Sequence, residues 1–244
     1  DKLPFAKREV KHRNVMFDVP LAMGESVQVY VKVRTESSMQ FPLVLRSPDS
    51  LFAKDHEEQY ILGIFYGILV ALLLYNLLVF TAIRDTNYLY FVCYLGAWML
   101  FQMSLNGLAF EYLWPNSPWW ANQAIPLSMA ISQIAMHQFC RVFLELKERQ
   151  PYADRVSQGI IAFFIAMGLA SFFLDYRAAV RPMTLAVFPG ALFILYLAIN
   201  SIRKGYAPAK VFLLAWAFLL VGTALYASVS FGLVQKNFLT EYGI

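Results

Sequence analysis

The segment YILGIFYGILVALLLYNLLVFTAI, residues 60–83, contains no Asp, Glu, Lys or Arg, and its reading decides the fold. About 20 apolar residues carry a helix across a hydrocarbon layer roughly 30 Å thick. A surface helix of a soluble protein instead keeps a polar face, and this stretch has none wide enough. Working outward, five more segments lack all four charged residue types: residues 88–110, 121–140, 156–174, 182–202 and 211–234. The third of the six spans, 121–140, is the least apolar. The fifth carries Pro189-Gly190, an expected kink, which a membrane helix tolerates where neighbours satisfy the freed carbonyl.

Composition agrees. Hydrophobic residues make up 59% of the 244 and charged residues 15%, with a mean hydropathy of +0.52. Disorder is excluded by that apolar content, and a disulfide scaffold by the presence of only two cysteines, Cys93 and Cys140. Both lie within spans and read as inert apolar residues. The pI near 9.0 does not argue for nucleic acid, because the basic residues flank apolar runs.

Their distribution sets an expected orientation. Alternate loops hold Arg84, then Arg141, Lys147, Arg149 and Arg155, then Arg203, Lys204 and Lys210. The other loops hold Arg177, Arg181 and Lys236. The richer side is expected to be cytoplasmic, which leaves the N-terminus outside. Trp114, Trp119 and Trp120 then form an outer interfacial belt, with a ligand contact as the alternative role. Residues 235–244 read as an outer loop leading into a seventh span, and the chain as a fragment lacking both ends.

Residues 1–50 differ in character. VQVYVKVR (27–34) alternates apolar and polar positions, the period of a half-buried strand. NVMFDVPL (14–21) and QFPLVLRS (40–47) are weaker versions. Three strands in about 50 residues cannot close a sandwich core, so they are expected to be the last strands of a larger antiparallel β-sandwich. Residues 51–59 read as a polar linker. Nine basic and nine acidic residues balance over 1–59, which offers no strongly charged ligand surface.

Few residues carry chemistry. Gln133, His137 and Arg141 share one stripe of the third span; His137 reads as a hydrogen-bonded interior residue or, alternatively, a polar switch. Gly63, Gly67 and Ala71 form a small-residue stripe in the first span, and Ala162, Ala166 and Ala170 another in the fourth. Such stripes let helices approach closely, within the bundle or across a dimer, and a bulky residue at Gly67 is expected to impair assembly or signalling. Asn76 needs a partner across helices. No metal spacing, phosphate loop, nucleophile elbow or carboxylate pair is present, so no catalytic residue, metal or cofactor is assigned.

In order and spacing, several motifs resemble the bacterial seven-transmembrane receptors with diverse intracellular signalling modules. They are the opening YILGIFYGILVALLLYNLLVF, the tight RDTNYLYFVCY hairpin, LNGLAFEYLWPNSPWW, HQFCRVFLELKERQP and the closing NFLTEYGI. The resemblance implies an all-α seven-helix bundle over about 60–244, preceded by the end of an extracytoplasmic jelly-roll sensor domain. It further implies a homodimeric receptor of the bacterial inner membrane. A periplasmic small molecule or carbohydrate would bias the bundle, which would drive a C-terminal diguanylate cyclase or histidine kinase. Plausible moving parts are the Pro189-Gly190 kink and the Gly63/Gly67 stripe. The main alternative is a transporter or channel, which would need a polar pathway; the spans offer only Asn76, Gln133, His137 and Asn200. An intramembrane enzyme is a second alternative.

Overall fold

The computed structural model describes residues 3–33 and 43–218. Among the described residues all regular secondary structure is helical. After a short 3₁₀ turn at Phe5–Lys7 come α1 (Pro48–Ile83), α2 (Thr86–Leu105), α3 (Leu108–Tyr112) and α4 (Pro118–Phe143). Then follow α5 (Leu146–Arg149), α6 (Pro151–Ala170), α7 (Tyr176–Arg203) and α8 (Ala209–Phe218). Four of these helices, α1, α2, α6 and α7, are long and apolar enough to cross a membrane. The remainder of the sixth expected span, and the lead-in to a seventh, lie outside the described residues.

Local sequence sets the helix ends. Ser47 caps α1, its hydroxyl accepting from the Ser50 N–H at 3.4 Å, with Pro48 in the first turn. Pro at that position gives up a hydrogen bond the helix would not make anyway. Arg84 ends α1 in the left-handed conformation, and the Asp85 carboxylate caps α2 by accepting from the Asn87 N–H at 2.9 Å. The second span was expected to run to Phe110. Instead α2 stops at Leu105, because Gly107 adopts φ +76° and the chain turns into α3. A Cβ at Gly107 would lie 3.0 Å from the Arg13 carbonyl oxygen, so both conformation and space require glycine there.

The expected linker is helical. Residues 51–59 form part of the first three turns of α1, which runs unbroken for 36 residues. At about 1.5 Å per residue that is about 54 Å, well beyond a hydrocarbon core, so the polar turns extend past the apolar span.

Of the expected strands, 14–21 and most of 27–34 fall within the described residues. Among the described residues, 14–21 and 27–33 run without helix or ladder, and Val27, Val29 and Val31 are exposed. Residues 34–42 lie outside the described residues, which removes Val33's neighbour Arg34 and the start of the third expected strand from view. A strand is held by hydrogen bonds to a neighbour, and alternation alone cannot supply one.

The centre of the bundle is α4, which packs against α2, α6 and α7. This explains why it is the least apolar span. Its small and polar residues Ala124, Ser128, Ala130, Ser132 and Ala135 are buried against other helices, away from lipid. Serine hydroxyls there bond back to their own helix, as Ser132 does to the Met129 carbonyl at 2.9 Å. Two apolar clusters result. One joins Cys140, Leu144, Ile194, Leu197 and Trp216 at the end that carries Arg141. The other joins Ala130, Phe164, Ala179 and Met183 towards the end that carries the tryptophans.

The close helix approach falls on residues other than the expected stripes. Among the described residues Gly63, Gly67 and Ala71 face outward, and a Cβ at either glycine meets nothing within 4 Å. Ala162 and Ala166 are exposed too. The tight contact is Gly168 of α6 against Ala130 of α4, where a Cβ would lie 3.1 Å from the alanine methyl. Gly168→Leu is therefore expected to lower the thermal midpoint of the detergent-solubilised chain by several degrees, while Gly67→Leu leaves it within a degree or so. Equal melting of the two variants would refute this placement of the helix contact.

Candidate functional site

Polar and charged groups gather at three levels along α4: the tryptophan end, the middle and the arginine end. At the tryptophan end the N-terminal segment is clamped to the bundle. The basic run at 7–13 meets the acidic run at 55–58 on the extension of α1. His12 Nε2 sits 2.8 Å from Asp55 Oδ1, and Arg13 donates to the Glu58 carboxylate. His12 Nδ1 accepts the Asn14 N–H at 3.0 Å, so Nε2 is the nitrogen that donates to Asp55. Arg8 spans the segment, donating to the backbone oxygens of His12 and Arg13. Its guanidinium also lies over the Phe5 and Phe110 rings at 5.2 and 5.3 Å. Phe5 is buried edge-on against Phe110, and its N–H reaches the Pro115 carbonyl at 2.8 Å.

This clamp therefore touches α1, α3 and the loop before α4. A polar cleft of about 350 Å³ lies between them, with Lys11, His12, Asp55, Gln59 and Glu111 among its walls. Burial draws the Arg8 guanidinium below its ordinary value, and the nearby Glu111 carboxylate opposes that shift. The same carboxylate, helped by burial, raises the Tyr112 phenol. Asn106 donates to the Tyr66 hydroxyl at 2.9 Å, tying the end of α2 to α1.

Trp114, Trp119 and Trp120 cluster beside this level. Trp114 meets Trp120 edge-on at 6.2 Å, and Phe172 lies 6.4 Å from both Trp119 and Trp120. They bridge the start of α4 to the α6–α7 loop, and Trp119 is exposed.

At mid-level, His137 is fully buried, and neither ring nitrogen has a hydrogen-bond partner among the described residues. The bond expected of an interior histidine is not found there. Its neighbour is Gly190, where a Cβ would lie 3.3 Å from Nε2. The structure thus brings His137 beside Pro189-Gly190, which the sequence singled out separately. Gln133, one turn away on α4, is half-buried. Asn76 is buried, but its amide donates to the Leu72 carbonyl of its own helix at 2.8 Å.

At the arginine end, Arg141 forks onto Asp154 of α6, with Nε–Oδ1 at 2.7 Å and Nη2–Oδ2 at 3.2 Å. Gln138 and Gln158 complete the pair from either helix. Gln150 donates to Ser201 at 2.8 Å and accepts from Asn200 at 2.6 Å, joining α6 to α7. Tyr206, before α8, donates to the Phe143 carbonyl at 2.9 Å, and the Arg149 guanidinium lies 4.5 Å over its ring. Side chains thus link four helices and the α7–α8 loop at this level.

Two of these groups escaped the sequence reading. The clamp was hidden by the balanced net charge of 1–59, although KREVKHR (7–13) against DHEE (55–58) was the available signal. Asp154 had no signal at all, because its partner lies on another helix. Among the described residues no three His, Cys, Asp or Glu are placed to hold a metal ion.

Several membrane-crossing helices around a polar-seamed centre, with an extramembrane segment docked on one end, define a multi-pass helical membrane protein. Residues 58–244 match the family described as 7TM diverse intracellular signalling, and residues 1–47 match the one described as 7TMR-DISM extracellular 2. The first match covers most of the chain, and the chain belongs to that family of transmembrane sensor and signalling receptors. No curated protein and no solved structure matched it.

Proposed function

We propose that this chain is the receptor module that carries a ligand-binding event in a periplasmic domain to a C-terminal cytoplasmic effector, a diguanylate cyclase or a histidine kinase. The division proposed is 1–50 for the end of the sensor domain, 51–59 for the connection and 60–244 for the receptor bundle. The observation that carries the reading is the docking of residues 5–13, through His12 and Arg13 on the extension of α1 and through Phe5 on α3 and the loop before α4. A rigid helix clamped outside the membrane transmits displacement of the sensor domain into the bundle without a flexible joint. A ligand shifts such a relay only by its differential affinity for the two states. The fork between Arg141 and Asp154 at the far end suits a contact that is made in one state and released in the other.

The orientation has its own test. Reporter fusions after Arg149 are expected to report cytoplasm, and fusions after Pro118 periplasm. The reverse pattern refutes the proposed direction of the relay.

A further inference from the structure

The polar cleft of about 350 Å³ at the tryptophan end has walls from three parts of the chain: the docked segment, α1 and α3. Along α1 the wall runs from Asp55 and Gln59 to Leu62, Gly63 and Tyr66, so it is polar at one end and mostly apolar at the other. The charges on the walls balance, Lys11 and Arg13 against Asp55 and Glu111. Two of the four are engaged. Asp55 takes His12 on one oxygen and Gln59 on the other, and Arg13 donates to Glu58. Lys11 is exposed and makes no ion pair among the described residues. Glu111 is half-buried and stands near Arg8. The cleft thus offers an ammonium from the docked segment and a carboxylate from α3. Its depth follows from helix length. About 20 residues of helix cross a hydrocarbon core, and counted back from Ile83, the end of α1, they begin near Ile64. Gly63 and Tyr66 therefore lie at the hydrocarbon edge, and Asp55 and Gln59 stand roughly one to three turns outside it. Gly63 and Tyr112 of the cleft are exposed, as is Trp119 at the same end. Exposed Tyr and Trp at such a level are the mark of a membrane–water interface.

We propose that this cleft binds the zwitterionic headgroup of a primary-amine phospholipid, phosphatidylethanolamine in chemistry, its phosphate on Lys11, its ammonium on Glu111 and its acyl chains in the bilayer beyond Gly63. The occupant is a zwitterion because the walls carry balanced charge. An anionic glycerol headgroup would meet Asp55 and Glu111 with no cation to offer them, and like charges across a contact are costly. It is a primary amine because an ammonium with N–H groups donates to a carboxylate, whereas a trimethylated one has none to give. It is a lipid because the cleft reaches the hydrocarbon edge at Gly63 and Tyr66. Its volume is near the low end of the roughly 300–1,000 Å³ of small-molecule sites, which holds a headgroup and leaves the chains outside. This goes beyond the relay reading and does not rest on it: docking of the N-terminal segment becomes sensitive to membrane composition.

The test uses the chain in phosphatidylcholine nanodiscs with a trace of phosphatidylethanolamine that bears a diazirine at the start of one acyl chain, cross-links being mapped by mass spectrometry. Labelling is expected to concentrate on peptides containing 59–66 and 108–112. Unlabelled phosphatidylethanolamine is expected to compete about tenfold more effectively than phosphatidylglycerol, the ratio that one charge-assisted contact supplies. Lys11→Gln is expected to cut labelling by a similar factor with unchanged melting, since Lys11 holds no ion pair among the described residues. Glu111→Lys is expected to reverse the preference, so that phosphatidylglycerol competes better, a change that loss of structure would not produce. Each of these results overturns the proposal: even labelling of all lipid-facing helices, equal competition by the two lipids, or a preference that neither variant moves. Competition by water-soluble glycerophosphoethanolamine as effective as that by the lipid overturns the lipid source. Cross-links from a benzophenone amino acid in place of Lys11 to residues 34–42 or 219–244 overturn it too, because the chain itself would then fill the cleft.

Discussion

Asp154→Ala is expected to produce the largest loss of stability of any single polar substitution in the bundle. Asp154 is 5% exposed, and its carboxylate takes both arms of the Arg141 guanidinium plus the Gln158 amide. Removing it leaves a largely buried cation without its counter-charge, which typically costs about 3–5 kcal/mol. Arg141 retains some exposure, so the lower end of that range applies. The double replacement Arg141→Leu with Asp154→Leu is expected to recover most of the loss, because it removes the unpaired charge along with the pair. Thermal unfolding in detergent measures both. If the double variant melts no higher than the single one, the cost lies in packing, and the ionic account fails.

Arg13→Glu is expected to release the N-terminal segment from the bundle. Arg13 and Glu58 are mostly buried, with side chains 11% and 24% exposed, so their pairing is a charge-assisted bond in reduced dielectric. Losing such a bond costs about 1.5–3 kcal/mol, which raises the population of the undocked segment by roughly tenfold to a hundredfold. Like charge in the reversed variant adds to this. Proteinase K should then cut within the docked residues 5–13 that much faster, and Arg13→Glu combined with Glu58→Arg should restore the original rate. Equal cutting of the single and reciprocal variants would show that the ion pair does not hold the segment. In the intact receptor the single variant is expected to give an output that no longer responds to ligand, while the bundle melts normally.

How much was legible in advance differs by element. The expected spans 60–83, 88–110, 156–174 and 182–202 each fall on a long apolar helix, the second and fourth of the six running past the helix ends at Leu105 and Ala170, because absence of charge over such lengths is a local property with one physical solution. The third expected span, 121–140, lies on α4, which is not among the helices apolar enough to cross a membrane, and its composition became intelligible once α4 proved central: Ser128, Ser132 and Ala130 face helices. The strand pattern at 27–34 was legible as periodicity, but periodicity names a face and supplies no partner. The Gly63/Gly67 stripe faces outward among the described residues, and spacing could not say so, for a related reason. Spacing shows that a helix has a smooth side, and it does not show which side is covered. Gly168, with no four-residue repeat around it, makes the close contact with Ala130.

By itself, the sequence determined that this chain is a multi-pass helical membrane protein with a distinct extramembrane beginning, because hydropathy, charge placement and residue periodicity act along the chain. Only the tertiary structure decided that residues 7–13 dock on α1, that Arg141 finds Asp154 and that His137 lies against Gly190. Each of these pairs joins segments separated by 13 or more positions. Side-chain partnership at that separation depends on helix register and rotation, which no local pattern encodes.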